Sequence, residues 1–146
     1  MKLIADENRI WVDFAKIPET MKDAFVAIED QRFYKHGGVD IRRTLGAVMN
    51  VVLRGDSSYG GSTITQQLAK NLFPRDTVRN RGKVARTAKL VQSKFKEWIT
   101  AIKLEHNYTK NEIAAMYLNT VGYGSNAYGI KSAASTFFGK SPSELN

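Results

Sequence analysis

Glu29 and Asp30 are the first residues in the chain whose setting suggests chemistry. They fall in AFVAIEDQRFYKHGGVD, where Phe25, Ile28 and Phe33 supply apolar surroundings and Arg32, Lys35 and His36 supply positive charge. Apolar walls make a carboxyl hold its proton more tightly and cations oppose that, so a carboxylate set between them can be tuned for general-base work. The plainer alternative is an acidic pair on a solvated helix face. In Gly60-Gly61-Ser62-Thr63-Ile64-Thr65-Gln66-Gln67, hydroxyls, amides and backbone donors gather where a helix begins, a place suited to phosphate or sugar. Lys70 follows within about two turns, with Asn71 beside it. A Ser/Thr helix cap accounts for the hydroxyls, but not for two consecutive glutamines and a lysine. Glu97 lies one position from an apolar seam, with Lys94 and Lys96 nearby, and an exposed Lys/Glu face is its ordinary explanation. Two carboxylates in different surroundings nevertheless form an acid/base pattern.

The remaining candidates are weaker. His36 and His106 are too far apart in the chain to suggest a metal pair, so one is expected to hydrogen-bond within the fold and the other to be exposed. Trp11, Trp98, Phe137 and Phe138 are by default core aromatics, with an exposed subset able to touch lipid. With no Cys, the chain has no disulfide framework, thiolate nucleophile or Cys-based metal site.

These groups need a scaffold, and the periodicity predicts a helical one. Alternation over Arg9-Ile10-Trp11-Val12-Asp13-Phe14 predicts a short strand. Pro18 followed by Met21, Phe25 and Ile28 opens a helix expected to run to about Phe33, before Gly37-Gly38. A second helix carries Ile41, Leu45, Val48, Met49 and Val52 on one stripe, and residues 55–62 form a loop, its stretch from Arg54 to Gly60 expected to be mobile. Ile64, Leu68 and Leu72 mark a third helix that Pro74 stops, and a basic segment runs from Arg75 to Lys83. Val84, Ala88, Val91, Phe95, Trp98 and Ile102 give the clearest helical signal, one long helix to about Glu105. Thr109 and Glu112 form a capping box ahead of a helix through Leu118. After a loop with Gly122, Gly124 and Gly129, Ile130, Ala133, Ala134 and Phe137 predict a last full helix ending near Gly139, its alanines permitting close packing. Ser141, Pro142 and Glu144 then carry another helix-start signature.

The 146 residues fit one compact domain, and 42% apolar with 25% charged residues is ordinary for a globular chain, which excludes disorder and a membrane-spanning class. The charge is less ordinary. With 22 Lys and Arg against 14 Asp and Glu, the formal net charge is +8, which implies an anionic partner: nucleic acid, an anionic membrane surface or a phosphorylated substrate. There is no signal peptide or apolar run of transmembrane length, so the chain reads as a soluble domain.

Taken in order, EDQRFYKHGG, GGSTITQQLAKN, KFKEWITAIKLE, EIAAMYLN and YGIKSAASTFFGK resemble the family 51 glycosyltransferases, the peptidoglycan glycosyltransferase domains of class A penicillin-binding proteins and their monofunctional counterparts. The resemblance spans Ala24 to Lys140. It implies an all-α, lysozyme-like fold with a large helical lobe and a small jaw lobe around a cleft. It implies a reaction too: the 4-hydroxyl of lipid II attacks the anomeric carbon of a lipid-linked glycan strand, expelling undecaprenyl pyrophosphate with inversion to give a β-1,4 glycan. By resemblance Glu29 is the base, Asp30 shapes the site, and Glu97 assists the leaving group, directly or through a divalent cation such as Mg or Mn. Ser62, Thr63, Gln67 and Lys70 are expected to hold donor pyrophosphate and sugar, with Lys94 and Lys96 as basic residues of the third motif. An anionic bilayer at the outer face of the cytoplasmic membrane and a transpeptidase domain in the parent protein are also implied, with a membrane anchor before Met1 and a further helix after Leu145 missing from the chain.

The match has departures: Ser93 stands where arginine is frequent and Ala114 where leucine is, while Gly46 lies where many members carry a phosphate-contacting arginine that Arg42 or Arg43 would have to replace. Two other functions compete. A lysozyme-like hydrolase would use one glutamate as general acid on an existing glycan, but has no need of the cationic, hydroxyl-rich second motif. A basic helical nucleic-acid binder would use the run from Arg75 to Lys89, but leaves GGSTITQQ unexplained, so no nucleic-acid partner is expected.

Overall fold

The computed structural model describes residues 10–54, 60–73 and 83–145. Within them lie α1 (Glu19–Glu29), α2 (Ile41–Arg54), α3 (Ile64–Leu72), α4 (Lys83–Asn107), α5 (Lys110–Thr120) and α6 (Ile130–Phe138), with 3-10 turns at Phe14–Lys16, Phe33–Lys35 and Pro142–Glu144. The described residues hold no strand, only an isolated bridge between Gly122 and Tyr128, so the fold is all-α as expected. The loop at 55–59 and the basic segment at 75–82 lie outside the described residues.

α2, α3 and α5 begin where side chains can satisfy backbone donors that have no partner inside the helix. Thr63 caps α3 through a reciprocal box with Gln66, and Thr109 caps α5 through one with Glu112. The Thr109 backbone N–H, and then its hydroxyl, hold the Glu112 carboxyl below its usual range. Asp40 caps α2, accepting from the Arg43 N–H at 3.2 Å. Gly139, at φ 63°, closes α6 in the left-handed conformation that glycine adopts without penalty. Ser141 and Glu144 do form a capping box, but around a single 3-10 turn.

α3 is the hub, packed on α4 and α5. Phe33, Ile64, Leu68, Leu104, Ile113 and Tyr117 fill the core between them. Two glycines set how closely elements approach. A Cβ on Gly38, which has φ +94°, would lie 2.8 Å from the Ala101 carbonyl carbon of α4, and one on Gly61 would lie 2.7 Å from Ala47 of α2. Ala133 and Ala134 are buried on α6, consistent with close packing there.

Four expectations need correction. Residues 10–13 form no strand, because the segment finds its partner in a side chain: the Val12 N–H donates to Asn119 Oδ1 at 2.8 Å, and Asn119 Nδ2 donates to the Val12 carbonyl at 2.9 Å. α1 stops at Glu29 rather than Phe33, since Asp30 turns its side chain inward and leaves helical geometry at φ −161°. On α4 the large apolar residues are not the buried ones. Val91, Phe95, Ile99 and Ile102 are exposed, Phe95 by 55%, while Glu97, Ala101 and Leu104 face the core. Trp11, Phe137 and Phe138 are likewise exposed, so of the four aromatics only Trp98 is partly buried, its ring tilted 60° against that of Phe95 with centroids 5.4 Å apart.

Candidate active site

Glu29 is the last residue of α1 and half-buried. Its Oε2 accepts from Gln67 Nε2 at 2.8 Å, and Gln67 Oε1 accepts from the Tyr117 hydroxyl at 3.3 Å. Burial, and secondarily the negative charge of Glu29, push the Tyr117 phenol far above its ordinary range, so it remains a neutral donor.

Asp30 is fully buried and acts as a strut. Its Oδ2 meets His36 Nε2 at 2.8 Å and accepts from the Ile64 N–H at 3.1 Å. The Gly38 N–H donates to His36 Nδ1 at 3.2 Å, so this network assigns the imidazole proton to Nε2. One carboxylate thus joins the end of α1, the His36 turn and the start of α3. Because α3 is fixed in this way, Gln67 on its first turn is presented to Glu29. His36 is the hydrogen-bonding histidine of the expected pair and His106 the exposed one.

The second carboxylate lies at the other end of the same segment. Glu97 is only 6% exposed and lies 3.2 Å from Lys94 Nζ, which also donates to Ser62 Oγ at 2.6 Å. Ser62 and Gln67 are five residues apart, about 7.5 Å at helical rise, so both carboxylates gather around the start of α3. Lys70 is exposed one turn beyond Gln67 on the same side of α3. Lys96 is exposed about 200° round α4 from Lys94, and the fold does not bring it to the others.

The helix start itself has less to offer a ligand than its sequence suggests. Thr63 is buried, its hydroxyl donating to the Gly38 carbonyl at 2.6 Å and accepting from the Gln66 N–H at 3.1 Å. The Ile64 N–H is taken by Asp30. Of the polar groups here, Ser62 and Lys94 stay part-exposed and Lys70 exposed. The half-buried Arg43 donates from Nε to the Gly60 carbonyl at 2.8 Å and ties α2 to this loop, while Arg42 is exposed.

Sequence reasoning missed two groups. Tyr117 stood in the fourth motif only as a helical residue, and its burial beside Gln67 is a tertiary fact. Below the site, Lys110 Nζ donates to the His36 carbonyl at 2.6 Å and to Glu105 Oε1 at 2.7 Å, and sits 4.5 Å from the centre of the Phe33 ring. Glu105 Oε1 also accepts from the Thr65 hydroxyl at 2.6 Å. Opposite charges at these positions were visible in the sequence, but their pairing across α3, α4 and α5 was not.

The donor set does not build a resident metal cage. Among the described residues no three His, Cys, Asp or Glu side chains cluster suitably, and the Lys94 ammonium stands beside Glu97.

A family model described as Transglycosylase matches residues 1–146. The chain is 38% identical over 149 residues to penicillin-binding protein 1A of Clostridium botulinum, covering 99% of this chain and 17% of that protein. It is 41% identical over 139 residues to penicillin-binding protein 1F of Bacillus subtilis, covering 95% and 18%, and 39% identical over 142 residues to penicillin-binding protein 1A of Haemophilus influenzae, covering 97% and 15%. The chain belongs to the transglycosylase family, the peptidoglycan glycosyltransferases whose motif order it carries. It spans less than a fifth of the length of these relatives.

Proposed function

We propose that this domain polymerises lipid II into β-1,4 glycan strands, with Glu29 taking the proton from the attacking 4-hydroxyl as the anomeric carbon loses its pyrophosphate with inversion. The observation that carries this reading is the pair of unlike carboxylates at the start of α3, one on a neutral amide and one on an ammonium. Gln67 orients Glu29 without neutralising it, which suits proton removal. Glu97 holds Lys94, and Lys94 with Ser62 faces the pyrophosphate whose negative charge grows as the bond breaks. Lys70 extends that positive field along α3, and Asp30 keeps the helix in place. Thr63 acts through the helix start it caps, and Lys96 belongs to the outer surface of α4. These side chains do not fit a resident divalent cation among the described residues, and no step of this reading is routed through one.

The exposed apolar rows Ile41, Leu45, Met49 and Leu53 on α2 and Val91, Phe95, Ile99 and Ile102 on α4, together with the +8 charge, support a position against an anionic bilayer. Among the described residues no helix is long and apolar enough to cross a membrane. In the parent protein this surface rests on the outer face of the cytoplasmic membrane. The names of the relatives and the small share of their length that this chain spans support a transpeptidase domain elsewhere in that parent. The hydrolase alternative gains nothing from a lysine held beside a serine, because a neutral glycan needs neither.

The test is polymerisation of lipid II by the protein and by Glu29→Gln. Turnover should fall by roughly a thousandfold or more while the melting midpoint stays put; undiminished polymer would refute the base assignment.

A further inference from the structure

The Tyr117 hydroxyl is unused by the chemistry above, yet it lies one residue removed from the base. Its ring is buried on α5 and packs edge-on against Phe25 of α1, centroids 6.5 Å apart, so the phenol has little freedom to swing. Gln67 stands between the hydroxyl and Glu29. A carboxylate only accepts, so the amide turns its NH2 toward Glu29 and its oxygen toward the Tyr117 hydroxyl, which donates. At 3.3 Å the tyrosine bond is long, and it adds to the amide orientation that Glu29 already favours.

We propose that Tyr117 is a positioning residue that sets the amide of Gln67 and, through it, the carboxylate of Glu29. The proposal rests on the reading of Glu29 as the base. Because burial keeps the phenol protonated, the orientation it supports does not vary with pH over the working range. Without the hydroxyl, the amide oxygen loses its donor, the Gln67 side chain is held at the Glu29 end alone, and the carboxylate is fixed less firmly in the position in which it meets the acceptor hydroxyl. Small displacements of a reacting group cost rate more than binding.

The experiment measures kcat and KM on lipid II in the intact protein for Tyr117→Phe, Gln67→Ala, the double variant and Glu29→Gln, with melting midpoints recorded alongside. Tyr117→Phe keeps the ring and its packing. It should lower kcat roughly 5- to 20-fold with KM within about twofold, and cause no further loss in the Gln67→Ala background. Full kcat in Tyr117→Phe, or the same factor lost in both backgrounds, would overturn the relay. If Glu29→Gln is inactive while Tyr117→Phe is fully active, only the relay falls; if Glu29→Gln keeps turning over, the base assignment falls and takes the relay with it.

Discussion

Glu29 and Glu97 are each held by a donor from a neighbouring position, and the donors differ in kind. Glu29 ends a helix, half-buried, on a glutamine amide; Glu97 lies inside a long helix, almost wholly covered, on a lysine. An amide fixes direction and leaves the charge intact, whereas an ammonium cancels it. The first arrangement keeps a carboxylate able to take a proton, and the second uses a carboxylate to hold a cation in place.

That contrast orders the expected effects. Glu29→Gln, the largest, removes the carboxylate that Gln67 holds. Lys94→Met should come next, lowering kcat roughly a hundredfold in the lipid II assay, with Glu97→Gln costing less because the lysine and Ser62 remain. If Glu97→Gln proves more damaging than Lys94→Met, the contrast has been read backwards and Glu97 touches the reaction itself. Asp30→Asn should act mainly on the fold, since a buried amide cannot accept from both His36 and Ile64 without leaving its NH2 unpaired; a loss of about 1–3 kcal/mol, measured by denaturant unfolding, is expected. The smallest effect concerns pH. Burial raises the Tyr117 and Tyr123 phenols, with Glu29 adding to the first and Tyr117 to the second. An acid raised in the folded state contributes stability in full below its unfolded value of about 10 and loses it as the pH climbs further. Alkaline titration should therefore show the phenolate absorbance of these two residues appearing together with unfolding.

The helical order was legible because caps and stripes are local. Thr109 with Glu112 and Thr63 with Gln66 announce their helices within four residues, and the motif order named the family. What the sequence hid was direction. The α4 stripe said which residues share a face, but the core side is marked by Ala101 against Gly38, where small residues let backbones meet, rather than by the bulkiest side chains. The alternation over residues 9–14 misled, because in the part described, from 10 to 13, Val12 pairs with the Asn119 side chain rather than with a strand. Within the site, Glu29 and Glu97 could be singled out by their surroundings in sequence. The engagement of Thr63 and the Ile64 N–H could not, because the Gly38 carbonyl meets the first from 25 residues away and Asp30 the second from 34, and a helix start looks open until its tertiary cap is seen.

Asn119 has a consequence for how this chain is tethered. Its amide nitrogen donates to the carbonyls of both Val12 and Ala115, and its own carbonyl carbon and oxygen crowd the space where Gly129 lacks a Cβ. The side chain thereby clasps the entering segment to a turn of α5, while the backbone of the same residue lies close against the loop that leads into α6. Even a one-atom exchange to aspartate would set a negative oxygen against two carbonyls, so the leading segment would peel away while the helices behind it stayed assembled. A pull on residues 10–13 is thus resisted by that amide together with the packing of Val12 on the core.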